Sequence, residues 1–221
     1  MQLVGLQKEN LKPSEAREVC QMYDEIADTY SEMMEGEIGL PVYSEILGRL
    51  KDRIEPIPGV LLDTACGSGH MLTLYRERFD AARPLMGIDL SPRMVAIAKN
   101  RLGPDPKIVV GDMRDLGMLK SRSAAAVINF FALHHLDQQG VLRAAKEWHR
   151  VLCPGGQLVV AAWEGTGPVD YGEESKIVAF RYSSSELVSW FEEARFRVQR
   201  CVVEPVGDFP TDAVYLECVK E

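Results

Sequence analysis

Four short segments carry the acidic, glycine and histidine residues able to hold a small charged ligand. The first, Asp63-Thr64-Ala65-Cys66-Gly67-Ser68-Gly69-His70, leaves an apolar run and enters a turn. Gly67 and Gly69 let backbone N–H groups and a helix N-terminus come close to a ligand. A tight strand–helix turn would need the same two glycines. The second is Asp89, 20 residues after Gly69, where a carboxylate can accept both hydroxyls of a ribose. Its competing role is to cap the next helix, a task Ser91 already fills. The third is Val110-Gly111-Asp112-Met113. Asp112 is placed to accept from an adenine amino group, with Met113 and Leu90 against the ring; an ordinary polar turn reads the same way. In the fourth, Asn129-Phe130-Phe131-Ala132-Leu133-His134-His135-Leu136, Asn129 and His134 face the reacting end of such a ligand.

The ligand class follows from two positions. A dinucleotide fingerprint requires a third glycine three residues after Gly69, and that position is Leu72. Asp63 would repel a pyrophosphate but suits an ammonium or sulfonium centre. S-adenosylmethionine carries both, with a ribose. An NAD(P)-dependent oxidoreductase is the alternative, and a catalytically silent cofactor-binding module a third reading.

These residues need a scaffold that brings strand ends together. Strands are expected at Val60–Asp63, Leu85–Leu90, Lys107–Gly111, Ala124–Phe131 and Gln157–Trp163, and two more at Phe196–Glu204 and Ala213–Lys220. Helices are expected over His70–Phe79, from Ser91-Pro92 to Arg101, and over Gln138–Leu152, stopped by Pro154-Gly155-Gly156. Another opens at Ser183 with Glu186 as a capping box. Residues 164–182 read as an irregular insertion. The alternation implies an α/β, three-layer, doubly wound and mostly parallel sheet. Ahead of it, Ser14 is expected to cap a helix with the stripe Ala16, Val19, Cys20, Tyr23, Ile26, Ala27 and Tyr30. A second helix follows from Val42 to Leu50. The expected division is residues 1–56 as a helical lid and acceptor-binding segment, and 57–221 as the cofactor domain.

Composition narrows the partners. The 221 residues carry a net charge of −8, which argues against a protein living on nucleic-acid phosphates. Residues 1–58 hold −6 of it. No apolar run is long enough to span a membrane. Met1 to Lys12 lacks the order of a secretion signal, and a cytoplasmic location is expected. Five scattered cysteines without a CxxC are read as small buried residues, with neither disulfides nor zinc. His134 and His135, taken as neighbours on an extended segment, would point apart, and no metal site is expected.

With these motifs in order, the chain from about Tyr23 to Glu217 resembles the class I, seven-stranded S-adenosylmethionine-dependent methyltransferases. The resemblance rests on Asp63-x-Ala65-x-Gly67-x-Gly69, Gly87-Ile88-Asp89-Leu90-Ser91, Gly111-Asp112-Met113, Asn129 with His134, and Leu152-Cys153-Pro154-Gly155-Gly156. Ala65 stands where the family has its first glycine. The resemblance implies seven strands, one antiparallel. It implies that Asp63, Gly67 and Gly69 hold the methionine moiety, Asp89 the ribose, and Leu90, Asp112 and Met113 the adenine. Tyr23-Asp24-x-x-Ala27-x-x-Tyr30 resembles the element that closes over the cofactor in small-molecule members. The expected reaction moves a methyl group to an N, O or S atom of a small polar metabolite by in-line displacement. His134 is the first candidate base, with His135 and Glu164 behind it. Trp163, Glu164, Tyr171, Arg181, Tyr182 and His135 are expected around the acceptor.

Overall fold

The apolar runs pair into one seven-stranded sheet in a computed structural model that describes residues 11–172, 175–207 and 209–221. The leader expectation for Met1–Lys12 falls largely on residues 1–10, outside the described residues. The strands are β1 (Val60–Asp63), β2 (Leu85–Asp89), β3 (Lys107–Val110), β4 (Ala124–Phe130), β5 (Leu152–Trp163), β6 (Phe196–Pro205) and β7 (Asp212–Lys220). Their order is β3-β2-β1-β4-β5-β7-β6. Pairs among the first five are parallel, and β7 runs antiparallel to both β5 and β6. The strand order reverses between β1 and β4, so their carboxyl ends flank the crevice where ligands bind in such sheets.

Helices cover both faces. On one, α2 (Pro41–Ile54), α3 (His70–Arg78) and α4 (Pro92–Leu102) share a core of Ile46, Leu50, Leu72 and Ala98 with Leu61, Ala126 and Tyr215 of the strands. On the other, α5 (Gln138–Val151) and α6 (Ser184–Glu193) pack Trp148 and Phe191 against Val127, Leu158 and Leu216. Leu72, where a dinucleotide fold has its third glycine, is fully buried and packs α3 by its side chain. Ser91 accepts from Met94 N and caps α4; Ser183 and Glu186 form their capping box. None of the described helices is long and apolar enough to cross a membrane.

Four local expectations need correction. The long first helix, α1 (Ala16–Glu37), is not capped by Ser14. Glu15 precedes it, its N–H donating to the Glu18 carboxylate at 2.8 Å. Ser14 instead pairs with Val178 of the 164–182 insertion, donating to its carbonyl at 2.9 Å and accepting its N–H at 3.0 Å. β5 starts at Leu152, because Pro154-Gly155-Gly156 is absorbed as a register shift rather than a turn: Leu152 pairs with Ala124 and Gln157 with Ala126. Ile26, expected on the inward stripe of α1, is 40% exposed. Cys201 is exposed on the edge strand β6 and Cys20 half-buried, while Cys66, Cys153 and Cys218 are buried as expected.

α2 belongs to the sheet layer rather than to a loose cover. Its buried face is reinforced by charge: Glu217 of β7, 2% exposed, accepts from Arg49 at 3.0 and 2.7 Å and from Arg53 at 2.5 Å. Both arginines keep about a third of their surface in water and can rehydrate if the carboxylate is lost. Glu217→Ala should therefore cost about 1.5–3 kcal/mol in urea unfolding, the range of charge-assisted hydrogen bonds rather than of a stranded buried ion. A change below about 0.5 kcal/mol would mean that α2 is held by apolar packing alone.

Candidate active site

The crevice begins with Asp63, 2% exposed at the end of β1. Its carboxylate accepts from Ala65 N at 3.1 Å. Burial pushes its pKa up to about 7, against the Ala65 hydrogen bond and aided by the charge of Asp89. The chain then turns through Gly67 at φ +48° and Gly69 at φ +86°. A Cβ at Gly69 would meet Leu102 Cδ1 at 3.1 Å and Ala98 Cβ at 3.2 Å, so this glycine lets α3 sit against α4.

Asp89 ties the turn to the next helix. Gly67 N donates to it at 2.8 Å and Ser91 N at 2.9 Å. Burial raises its pKa, and these two amides oppose the rise.

Two cavities of about 270 Å³ each open on these strand ends. The first is lined by Ala65, Gly67, Asp89, Leu90, Asp112, Met113 and His135. The second is lined by Asp63, His134, Trp163 and Tyr171. Tyr23 and Tyr30 of α1, with Ala65, Gly67, Phe130 and Phe131, line both. Gly69 and Asn129 line neither. Asn129 is a buried strut, its Nδ2 donating to Thr64 Oγ1 at 3.1 Å and lying 3.6 Å from Met113 Sδ. Asp112 is already engaged by Arg114, whose Nε and Nη2 reach it at 2.9, 3.0 and 2.5 Å. Burial alone would raise the Asp112 pKa; the Arg114 bonds outweigh it and hold the group low.

His134 and His135 do not lie on an extended segment. They end a single 3₁₀ turn, Leu133–His135, which turns both rings inward to 4.1 Å apart. Among the described residues no group of three or more His, Cys, Asp or Glu is placed to hold a metal. His135 Nε2 shares a 3.0 Å hydrogen bond with the Tyr23 hydroxyl, and burial lowers its pKa to about 4. Among the described residues neither ring nitrogen of His134 has a hydrogen-bond partner. Burial, then the neighbouring His135, push its pKa well below the usual histidine value. Phe131 holds a left-handed φ of +51°, strained for a bulky residue, and sets its ring 4.6 Å from Trp163.

Four expected acceptor residues lie elsewhere. Glu164, Arg181 and Tyr182 line neither cavity, and His135 lines the first cavity but not the second. Glu164 bridges to Tyr182, and Arg181 donates to Thr166 O at 2.9 Å. From the insertion, Tyr171 reaches the site instead. The site also includes residues the sequence reading missed: Phe209 from the β6–β7 connection, Arg114, and Met33 and Met34 on α1. Met33-Met34 on a lid helix was the one legible signal among them; residues 205–212 read only as a connector.

Residues 62–160 match the family described as "Methyltransferase domain". The chain is 37% identical over 142 residues to a dTDP-3-amino-3,6-dideoxy-alpha-D-glucopyranose N,N-dimethyltransferase of Streptomyces fradiae, covering 63% of this chain and 53% of that protein. It is 30% identical over 172 residues to a dTDP-4-amino-2,3,4,6-tetradeoxy-D-glucose N,N-dimethyltransferase of Saccharopolyspora spinosa, covering 74% and 66%. The chain thus spans about half to two thirds of the length of these relatives. A Burkholderia thailandensis 1,6-didemethyltoxoflavin-N1-methyltransferase, solved with S-adenosylhomocysteine, shares the fold at 16% identity with a TM-score of 0.74 over 97% of this chain and 98% of that one. Strand order, strand-end cavities and domain match together define a methyltransferase fold. The chain belongs to the class I S-adenosylmethionine-dependent methyltransferases, and S-adenosylmethionine is its cofactor.

Asp89 braces two backbone amides besides facing the first cavity. Asp89→Ala should therefore lower the stability of the cofactor-free chain by about 1–3 kcal/mol, while Asp89→Asn should recover part of it. Urea unfolding of both variants checks this; an unchanged midpoint for Asp89→Ala would mean that the Gly67 and Ser91 amides find other acceptors.

Proposed function

We propose that the protein transfers a methyl group to a nucleophilic atom of a small molecule, with the cofactor in the first cavity and the acceptor in the second. The supporting observation is that the two cavities meet at Tyr23, Tyr30, Ala65, Gly67, Phe130 and Phe131. Two ligands so placed share one wall and one lid, the arrangement a bimolecular displacement needs.

The residues fit the cofactor. Asp63 is a buried carboxyl with no cation beside it among the described residues; it lines the second cavity next to the shared Ala65 and Gly67, so the cofactor's amino-acid end would reach across the junction to it. Asp89 would take the ribose, and Leu90, Asp112 and Met113 the adenine. Because Arg114 holds Asp112, an adenine amino group would share that carboxylate rather than own it. Gly69 and Asn129 pass from contact to support. When bound, S-adenosylmethionine supplies a methyl carbon activated by its sulfonium, the C–S bonding pair leaving with sulfur.

His134 lines the acceptor cavity as a neutral imidazole with free nitrogens, and accepts the proton that the nucleophile releases. Tyr23 and Tyr30 close the junction and exclude water. Residues 1–56 then divide by task, α1 as lid and α2 as part of the sheet layer. A cytoplasmic location goes with the reading, since the cofactor is an intracellular metabolite.

Titration calorimetry should show micromolar binding of S-adenosylmethionine and S-adenosylhomocysteine and none of NAD(H); binding of NAD(H) alone would overturn the reading. Once an acceptor is found by screening for S-adenosylhomocysteine release, His134→Ala should lower kcat by about 10²-fold and leave cofactor affinity within about twofold. Unchanged kcat would remove His134 from the proton's path.

A further inference from the structure

Resting on that reading, the second cavity also restricts the kind of acceptor. Its outer walls are thioethers and aromatic rings: Met22, Met33, Met34 and Met71 with Trp163 and Phe209. Among the described residues no Lys or Arg lines it, and its two acidic members are Glu37 and Asp63. Glu37 accepts the Tyr43 hydroxyl and Asp63 the Ala65 amide. An anionic group entering here would lose its water, meet no Lys or Arg among the described residues and face the Glu37 carboxylate, Asp63 being taken by the cofactor, and each of these opposes binding.

His134 adds a positive requirement. It is 2% exposed, lines the cavity, and among the described residues leaves both ring nitrogens without partners. A neutral imidazole has one acceptor and one donor nitrogen, and a buried acceptor is satisfied by a ligand N–H or O–H. Size sets the last limit. A cavity of about 150 Å³ admits a benzene ring. The about 270 Å³ here, with its Asp63 end left to the cofactor, therefore admits roughly one or two rings.

We propose that the acceptor is an uncharged or cationic small molecule with an apolar body of one or two rings, whose N–H or O–H donates to His134, and that phosphorylated and carboxylated acceptors are refused. The dTDP-linked sugars in the names of the two relatives are then the wrong chemistry for this cavity, since their diphosphate would have no partner.

The test is calorimetry on the full chain saturated with S-adenosylhomocysteine, using four probes of one shape: 2-naphthylamine, 2-naphthylmethylamine, 2-naphthoate and 2-naphthyl phosphate. The two amines should bind at least about tenfold more tightly than the two anions. Met33→Arg, at a cavity-lining position 44% exposed and so tolerant of change, should bring the phosphate to within about threefold of 2-naphthylamine. Anions binding as well as amines overturn the inference, as does a failure of all four probes in a chain that binds S-adenosylhomocysteine. Failure of S-adenosylhomocysteine itself to bind overturns the methyltransferase reading first, and this inference with it.

Discussion

Asp63 is a carboxyl group sealed at the end of β1, and among the described residues its one hydrogen bond comes from Ala65 N–H, with no ion pair. Leaving a carboxylate so poorly compensated is costly, which is why its pKa rises to about 7. A fold keeps such a group only where something else gains from it. On the proposed reading a cationic ligand supplies the missing charge, and the geometry around Asp63 suits admitting one. Gly67 keeps the turn open, Asp89 holds that turn against α4, and the reversal of strand order between β1 and β4 leaves room above.

α1, the proposed lid, meets the sheet domain through a series of polar contacts. Asp24 of α1 accepts the Ser91 hydroxyl and Arg93 N, Asp28 pairs with Arg93 at 2.7 Å, and Glu35 pairs with Arg101 at 2.6 Å. Arg101 in turn donates to Ser68 O at 2.9 Å, so the lid is linked to the glycine turn itself. The Asp28–Arg93 pair is more than half exposed at both ends, and surface pairs of this kind contribute little. By contrast, α2 is fixed through the buried Glu217. One N-terminal segment thus contains a helix tied on largely by partly exposed polar pairs and a helix anchored on a buried carboxylate.

How much of this is legible in sequence depends on range. Ser91-Pro92, Ser183 with Glu186, and the 67–69 glycine turn act within a few residues, and the structure places all three as read. The glycine turn, Asp89, Leu90, Asp112 and Met113 gather because parallel strands end on one side, which the alternation already implies. What escaped was long-range or fine in scale. Arg49 and Arg53 meet Glu217 across more than 160 residues with no local trace. Ser14 has the chemistry of a helix cap, but the insertion competes for it and wins. Glu164 and Arg181 have the charge of acceptor ligands, yet they sit in an insertion whose path no periodicity reveals; of the residues expected from it Tyr171 enters the second cavity, and the unexpected Phe209 joins it. A single 3₁₀ turn at Leu133 turned an expected divergence of two histidines into a close pair.

On the proposed reading Asp63 is an anion that waits for a cation. Folding raises its pKa from 3.8 to about 7, so the protonated form favours the fold: through this group alone, the cofactor-free chain loses stability as pH rises from about 4 to about 7. Cofactor binding needs the charged form and has the opposite slope, weakening by up to about tenfold per pH unit below 7. The deciding measurement is S-adenosylhomocysteine affinity and cofactor-free Tm for the wild type and Asp63→Asn, each at pH 6 and pH 8. The wild type is expected to bind more weakly at pH 6 than at pH 8. Asp63→Asn is expected to bind weakly at both, yet to have the higher Tm without cofactor at pH 8. Equal affinity of both proteins across that range, with Asp63→Asn the less stable at pH 8, would contradict this role for Asp63.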